Sequence, residues 1–286
     1  MISIPDVTLV IAETRAHDLS RITVNDIISK INFGGGILIY TDDCERLAVP
    51  GARYIKVADW SNKIAAGSFY YTEAAREITT SHALLMEWDA GACKPDMWRD
   101  EFLQYDYIGA PWEWRVKQGT AVGNGGFALV TKRLVDFCHD NQFKIPTDMD
   151  ISVHRRRELE TRGGFKWAPE NVARDFAYEG WTPRGSTVRT DRPNSFGYHS
   201  VCNWPYILDR ADLLNRARIL FKAPPVTQTA GMGGVGGGGN KINLLLRAAP
   251  WLRNELRGPL LPPQQLSHQH LMRQRAAIYQ SRGGKA

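Results

Sequence analysis

Apolar residues in the first ninety positions gather into short runs that stop at polar residues. Val7 to Ala12 reads VTLVIA and is followed by Glu13, Thr14 and Arg15; Gly36 to Tyr40 reads GILIY and is followed by Thr41, Asp42 and Asp43. A third run, HALLM from His82 to Met86, ends in Glu87, Trp88 and Asp89. Runs this short, continuous rather than alternating and rich in β-branched residues, predict strands buried on both faces. Between them, Ile22 to Lys30 and Ser68 to Thr80 carry helical spacing. Strands alternating with helices predict an α/β fold with a mostly parallel central sheet and flanking helices. Ligands of such sheets sit beyond the carboxyl ends of the strands, which singles out Thr14, Asp42, Asp43, Glu87 and Asp89.

The pattern breaks near Ala230. The run GMGGVGGGG from Gly231 to Gly239 cannot bury a core and predicts a flexible linker. Lys241 to Arg257 holds enough Leu and Arg for short helical pieces, interrupted at Pro250. The expected organisation is one catalytic domain over residues 1–221 and a Gly-rich, basic tail over residues 222–286.

Charge sharpens this division. The chain of 286 residues has a net charge of +6, but from Lys222 onward nine Lys/Arg face a single acid, Glu255, a net of +8. The preceding residues are left at −2, with 27 bases against 29 acids. The body therefore lacks the cationic excess of a phosphate-tracking domain, and no specific nucleic-acid partner is expected. A basic tail with interspersed Leu fits an anionic membrane surface; a solvated tail and a docking segment for a partner protein or nucleic acid are the alternatives. No apolar run approaches the ~20 residues that span a bilayer, and the N-terminus has no basic region before its apolar stretch, so the expected location is the cytoplasm, with membrane association through the tail.

A hydrophobic content of 43% and an aromatic content of 10% suffice for a large enzyme core. Cys44, Cys93, Cys138 and Cys202 form no CxxC pair, and the seven histidines show no HExxH or HxxxH spacing. A metal site here would be built from oxygen ligands, with at most one His.

Four local patterns carry candidate chemistry. Glu87-Trp88-Asp89 is an acidic pair directly after a strand; if the chain stays extended, both carboxylates point one way, one to ligate Mg²⁺ or Mn²⁺ and the other to act through water. Alone, such a pair is more often a solvated strand end. Gly123, Asn124, Gly125 and Gly126 form a glycine loop ahead of a helical segment near Thr131. Positive φ there would bring backbone amides close to a ligand, and a tight Asn-Gly hairpin is the alternative. Asp148 and Asp150 open a helical segment from Ile151 to Thr161, either as caps or with one of them as a general base. His199, in FGYH, is a lone histidine that would complete the coordination of a carboxylate-held metal.

Taken in order, these patterns resemble a known family. The stretch ALLMEWDAGACKPDMWRDEFLQYDYIGAPW from Ala83 to Trp112, then VGNGGFAL, the acidic pair before a helix, FKWAPENVARDFAYE and FGYH are similar to a family of domains of unknown function. That family is grouped with GT-A glycosyltransferases, near the galactosyltransferase type, and the resemblance covers about residues 5 to 210. It implies a GT-A-like, Rossmann-related sheet and transfer of a sugar from a nucleoside-diphosphate donor, a UDP-sugar foremost, to a glycan or other hydroxyl acceptor. It also implies Mn²⁺ or Mg²⁺ as cofactor and direct displacement with inversion.

Glu87-Trp88-Asp89 takes the place of the family's DxD motif, with Asp89 as metal ligand and Glu in place of the first Asp. Asp150 matches the catalytic acid of the xED motif, with Met149 where Glu is usual and Asp148 as the alternative. His199 matches the C-terminal histidine at the metal. Thr14, Asp42, Glu87, Trp88, Gly123, Asn124, Gly125 and Gly126 make up the expected donor-binding set. Trp88, Trp112 and Trp114 either stack on sugar faces or pack among other aromatics. A metal-dependent phosphohydrolase using the same carboxylates, and a carbohydrate- or nucleic-acid-binding protein without turnover, are the rival readings.

Overall fold

The computed structural model describes residues 1–60, 63–179, 193–222, 243 and 245–257. Strands β1 (Ile2–Ile4), β2 (Val7–Ala12), β3 (Ile31–Phe33), β4 (Ile37–Thr41) and β5 (Ala52–Lys56) belong to its first sixty residues, with helix α1 (His17–Lys30) between β2 and β3. Helix α2 (Lys63–Thr72) leads through turns to β6 (His82–Met86) and β7 (Ala90–Ala92); β8 (Tyr107–Gly109) and β9 (Phe127–Thr131) follow. Then come α3 (Lys132–Asp140), α4 (Arg156–Gly163), α5 (Glu170–Phe176), β10 (Ala177–Glu179), β11 (Gly197–His199), α6 (Trp204–Ile207) and α7 (Arg210–Lys222).

Six strands form the main sheet in the order β5-β4-β2-β6-β9-β8. The first four run parallel; β9 is antiparallel to both β6 and β8, so β8 again points the way of β6. The sheet is therefore mostly parallel, as expected. Pleating divides its residues between two layers. Leu9, Ile11, Ile39, Leu84, Met86, Phe127 and Leu129 face one core with Val24 and Ile27 of α1 and Phe176 of α5. Val10, Leu38, Tyr40, Ala83, Leu85, Ala128 and Val130 face the other with Tyr70 and Tyr71 of α2 and Leu134 and Val135 of α3. Burial on both faces is why β2, β6 and β9 read as unbroken apolar runs.

Two expected helices differ in extent. The helical spacing from Ser68 to Thr80 outlasts the helix, which ends at Thr72. There the Glu73 and Ala74 amides both donate to Phe69 O, at 2.9 and 3.0 Å, and the chain turns away. Ala74, Ala75 and Ile78 keep the apolar spacing because they stay buried in the second core. The segment from Ile151 to Thr161 is a single π turn, Asp150–His154, followed by α4.

A third core lies around α7, where Leu213, Ala217 and Leu220 pack with Tyr198, Val201, Trp204 and Leu19 of α1. Leu245, Ala249 and Leu252 join this core, the last from a short helix, Leu252–Arg257, that lies against α7. Packing thus extends past the expected boundary at residue 221, because these three apolar side chains share a core with Leu213, Ala217 and Leu220 of α7. The glycine run from Gly231 to Gly239 and residues 258–286 lie outside the described residues. Among the described residues, no helix is long and apolar enough to cross a membrane.

Candidate metal centre

The carboxyl ends of β2, β4 and β6 and the start of β9 share one edge of the main sheet, and a small second sheet is built over it. This sheet has the order β10-β11-β7, with β10 parallel and β7 antiparallel to β11. Its register pairs His199 with Glu179 on one side and with Ala90, the residue after Asp89, on the other. Three segments distant in sequence therefore deliver His199, Glu179 and Asp89 to one place.

Glu87 and Asp89 converge through a turn, not through the extended chain expected from sequence. The Ala90 amide donates to Glu87 O at 3.1 Å and closes the turn, while the Glu87 amide donates to Gly126 O at 2.8 Å. The reason for the turn is β7, which must reverse from β6 to reach β11. The potential ligand atoms of Glu87, Asp89 and His199 all lie within 4.8 Å of one another. His199 Nε2 is 3.5 Å from Asp89 Oδ1 and 3.7 Å from Glu87 Oε2.

The other imidazole nitrogen is fixed. His199 Nδ1 is 2.7 Å from Glu179 Oε2, which also accepts from Asn124 Nδ2 at 2.7 Å. Asn124 Oδ1 in turn accepts from the Gly126 amide at 3.1 Å, and Asn203 Nδ2 donates to His199 O at 2.7 Å. Beyond His199, Ser200 adopts φ 92° and ψ 138°, and its amide donates to Asp89 O at 3.1 Å. A non-glycine residue there costs of order 1–3 kcal/mol, so the strain is held at the site by the surrounding bonds.

This arrangement calls for positive charge. With its Nδ1 proton directed at Glu179, His199 turns Nε2 toward two carboxylates, one of which, Asp89, has 0% exposure. Burial by itself lowers the His199 pKa, but Asp89 and Glu179 overcome it and raise the pKa well above 6.5. Either a proton or a cation held between Nε2 and the carboxylates relieves the repulsion. The donor set, two carboxylates and one imidazole, suits Mn²⁺ or Mg²⁺, and a histidine oriented by a carboxylate is a usual support for a metal ligand. The residues present therefore fit a divalent cation, with Glu87, Asp89 and His199 as the ligands.

The glycine loop lies against this cluster, for a reason other than positive φ, which none of Gly123, Gly125 or Gly126 adopts. Close approach is what requires glycine here. A Cβ on Gly126 would stand 2.2 Å from His199 Cδ2, one on Gly125 1.9 Å from Tyr71 Oη, and one on Gly123 2.4 Å from the Trp112 ring. Nor is the loop a tight Asn-Gly hairpin: β8 and β9 are joined through residues 110–126, with a bridge between Pro111 and Val122. Its amides are engaged inside the protein, Gly125 with Asp148 Oδ2 at 3.2 Å and Gly126 with Asn124.

Asp148 therefore sits on the glycine loop. Asp150 does not: its Oδ2 accepts from Thr147 Oγ1 at 2.6 Å, and its amide donates to the same hydroxyl at 3.3 Å, so both its polar groups are turned to Thr147 at the start of the turn. Tyr71, fully buried beside Gly125, has its hydroxyl pKa pushed well up by burial, then by Tyr107 and Asp148.

The remaining strand-end residues are near neighbours with local partners. Thr14 Oγ1 accepts from the Trp60 amide at 3.1 Å, and Asp42 pairs with His17 Nε2 at 2.8 Å. Glu13 Oε1 accepts from the Arg15 and Ala16 amides at 2.6 and 2.8 Å; burial raises its pKa, and Glu87 adds to the rise. The Trp88 side chain packs edge-on against Trp204, with ring centroids 6.1 Å apart. Trp112 and Trp114 contact each other beside the loop, at 5.8 Å. Sequence reasoning gave no role to Glu179, Tyr71 or His17. The first stands in the quoted stretch FAYE, and its only signal is a lone acid at the end of a short apolar run.

Residues 52–199 match a family described as "Protein of unknown function (DUF5672)". No protein of curated function matches the chain. Among solved structures, the chain is similar to the mannosyltransferase PcManGT from Pyrobaculum calidifontis in complex with GDP-Man and Mn²⁺. The identity is 14%, the TM-score 0.41, and the similarity covers 96% of this chain and 81% of that one. It is also similar to the galactosyltransferase LgtC in complex with donor and acceptor sugar analogues, at 12% identity and a TM-score of 0.32, over 67% of this chain and 86% of that one.

Proposed function

The chain belongs to the DUF5672 family, whose function is unknown, and from the geometry of its site we propose that it is a metal-dependent glycosyltransferase. The reaction moves a sugar from a nucleoside-diphosphate donor, a UDP-sugar foremost, to a hydroxyl of a glycan or similar acceptor, by direct displacement. One observation carries this reading: Glu87, Asp89 and His199 converge within 4.8 Å at the carboxyl edge of a mostly parallel sheet, beside the glycine loop. That edge is where α/β sheets receive their ligands.

Bound at Glu87, Asp89 and His199, Mn²⁺ or Mg²⁺ would neutralise the charge that develops on the departing diphosphate. The imidazole ligand favours Mn²⁺ of the two. Glu179 keeps the Nδ1 proton on His199 and so keeps the Nε2 lone pair available. Asn124, tied to both Glu179 and the Gly126 amide, fixes the glycine loop to the same cluster. Asp148, half-buried on the other side of that loop, is the carboxylate best placed to take the proton of an attacking hydroxyl. Asp150 supports it by holding the Thr147 hydroxyl, one residue before it. Thr14 and Asp42 lie at the carboxyl ends of β2 and β4 on the same edge and complete the donor-binding set. Exposed Arg247, Trp251 and Arg253 support contact of the C-terminal segment with an anionic membrane surface on the cytoplasmic side.

A thermal-shift screen of nucleotide sugars with and without Mn²⁺ tests the reading. A donor that binds only the native state stabilises by ~2.7 kcal/mol at a hundredfold excess over its dissociation constant. The expected result is stabilisation by one nucleotide sugar that requires Mn²⁺, followed by transfer to an added acceptor. Mn²⁺-dependent release of free sugar phosphate that no acceptor diverts would assign the site to phosphohydrolysis instead.

A further inference from the structure

A buried guanidinium lies behind the metal centre and outside the residues that match the family. Arg216, on α7, has 0% exposure. Its Nη1 donates to Thr23 Oγ1 at 2.8 Å, a contact between residues 193 positions apart, and the Thr23 hydroxyl donates to Trp88 O at 2.8 Å. Trp88 is the middle residue of the turn that sets Glu87 against Asp89. The relay thus runs from α7 through α1 to the backbone of the turn, without a side chain that would touch substrate.

A buried arginine is costly unless its donors are used, and this one is only partly satisfied. Nη2 reaches Asp212 Oδ2 at 3.3 Å, and the guanidinium lies 5.9 Å from the Trp204 ring, while Nε has no hydrogen-bond partner among the described residues. Packing alone would place Met or Leu at such a position on an apolar helix face. The guanidinium does two things an apolar residue cannot. It polarises the Thr23 hydroxyl so that the hydroxyl must donate to Trp88 O, and it sets a fixed positive charge behind a cluster of buried carboxylates. Arg216 also lies close enough to the buried Tyr198 hydroxyl, together with Asp89, for both charges to act on it. The third core supports the arrangement: Leu213 and Ala217, near Arg216 on α7, are buried in one core with Leu245, Ala249 and Leu252.

We infer that Thr23 and Arg216 are positioning residues for the divalent cation, holding the Glu87–Ala90 turn in its ligating shape from outside the family-matched segment. The inference rests on the reading that Glu87, Asp89 and His199 bind the cation.

Titration of the full chain with Mn²⁺ alone, by calorimetry, gives a test that needs no turnover. Thr23→Val keeps the side-chain shape and deletes both hydrogen bonds of the relay; Thr23→Ser keeps them. Supports behind a metal site typically change affinity about 10–100-fold when removed, and a support acting through the backbone belongs at the lower end. The expected result is a dissociation constant raised about tenfold in Thr23→Val and restored to within about twofold in Thr23→Ser. A lowered melting temperature with an unchanged dissociation constant would mean that the relay only supports the fold, and would overturn the inference. If Thr23→Val does not fold, Arg216→Lys, which keeps the charge but not the planar fork, carries the same readout.

Should the wild type bind no Mn²⁺, the cation reading fails by itself. Hydrogen exchange at the Ala90 and Ser200 amides then decides the relay. Exchange faster in Thr23→Val than in wild type, with β2 and β6 unchanged, keeps the relay as the support of the turn; equal exchange removes it.

Discussion

Gly126→Ala adds one methyl group, and its consequences can be worked out from contacts at the site. The new Cβ would stand 2.2 Å from His199 Cδ2, 2.3 Å from Nε2 and 2.7 Å from Cε1. Carbon contacts are comfortable from roughly 3.5 Å, so the ring must retreat by about 1 Å or more. It has little room to do so. Nδ1 is tied to Glu179 at 2.7 Å, the carbonyl to Asn203 at 2.7 Å, and the strand is held between β10 and β7. Movement of Gly126 instead would disturb its carbonyl bond to the Glu87 amide. Overpacking of this kind costs about 1–3 kcal/mol. For a chain of this size each kcal/mol corresponds to a fall of roughly 2–4 °C in melting temperature. Mn²⁺ affinity should fall about 10–100-fold because the ring no longer faces Asp89 and Glu87 from its supported position. Gly123→Ala is the control: its Cβ meets Trp112 and Ser152, not His199, so it should lose stability without a comparable loss of Mn²⁺ affinity. Denaturation and calorimetry on both variants read the two quantities separately. Wild-type affinity for Mn²⁺ in Gly126→Ala would refute the assignment of His199 as a ligand.

Three further outcomes follow from the same geometry. Asp89→Asn, nearly isosteric but uncharged, should abolish Mn²⁺-dependent stabilisation by the nucleotide sugar while the far-ultraviolet dichroism stays that of wild type; persistence of the Mn²⁺ effect would move the metal elsewhere. Asp148→Asn should keep donor affinity and lose transfer, whereas Asp150→Asn should keep most transfer and lose about 1 kcal/mol of stability with the weakened bond from the Thr147 hydroxyl; the opposite pattern in single-turnover kinetics would return the base to Asp150. Glu13→Gln concerns pH: burial raises the Glu13 pKa above 4.5, so the native state holds this proton to higher pH than the unfolded chain does, and stability falls as pH rises through that window. The glutamine can still accept from Arg15 and Ala16, so its stability advantage over wild type should be absent near pH 4 and grow to a plateau above the raised pKa; a constant difference across the range would count against it.

The strands of the main sheet were legible because burial on both faces leaves no polar position within β2, β6 and β9 apart from Thr8, His82 and Thr131. Their carboxyl ends followed from chain direction, which brings Thr14, Asp42 and Glu87 to one edge without any knowledge of side chains. His199 was a weak candidate by itself and gained weight through resemblance, since a single histidine carries no spacing. What brings it to Asp89 is the register of β11 between β10 and β7, a pairing of three-residue strands. Strands so short have too few residues for a period to show. Glu179 stayed hidden for the same reason.

The acidic pair before α4 shows a different limit. Sequence spacing presents Asp148 and Asp150 as equals two residues apart, and both readings, cap and base, apply to either. The structure separates them by what each meets: Thr147 for Asp150, the Gly125 amide for Asp148. Composition is least informative at the C-terminus. Counting charge and glycine makes everything after Lys222 look alike, yet Leu245, Ala249 and Leu252 are buried against α7 amid exposed arginines. Net charge reports what faces water; two leucines and an alanine are enough to attach such a segment, and they leave almost no trace in a charge count. That attachment matters because α7 also carries Arg216, whose side chain reaches the turn between Glu87 and Asp89 through a single threonine. A division of the chain drawn by composition thus cuts through a core that stands directly behind the site.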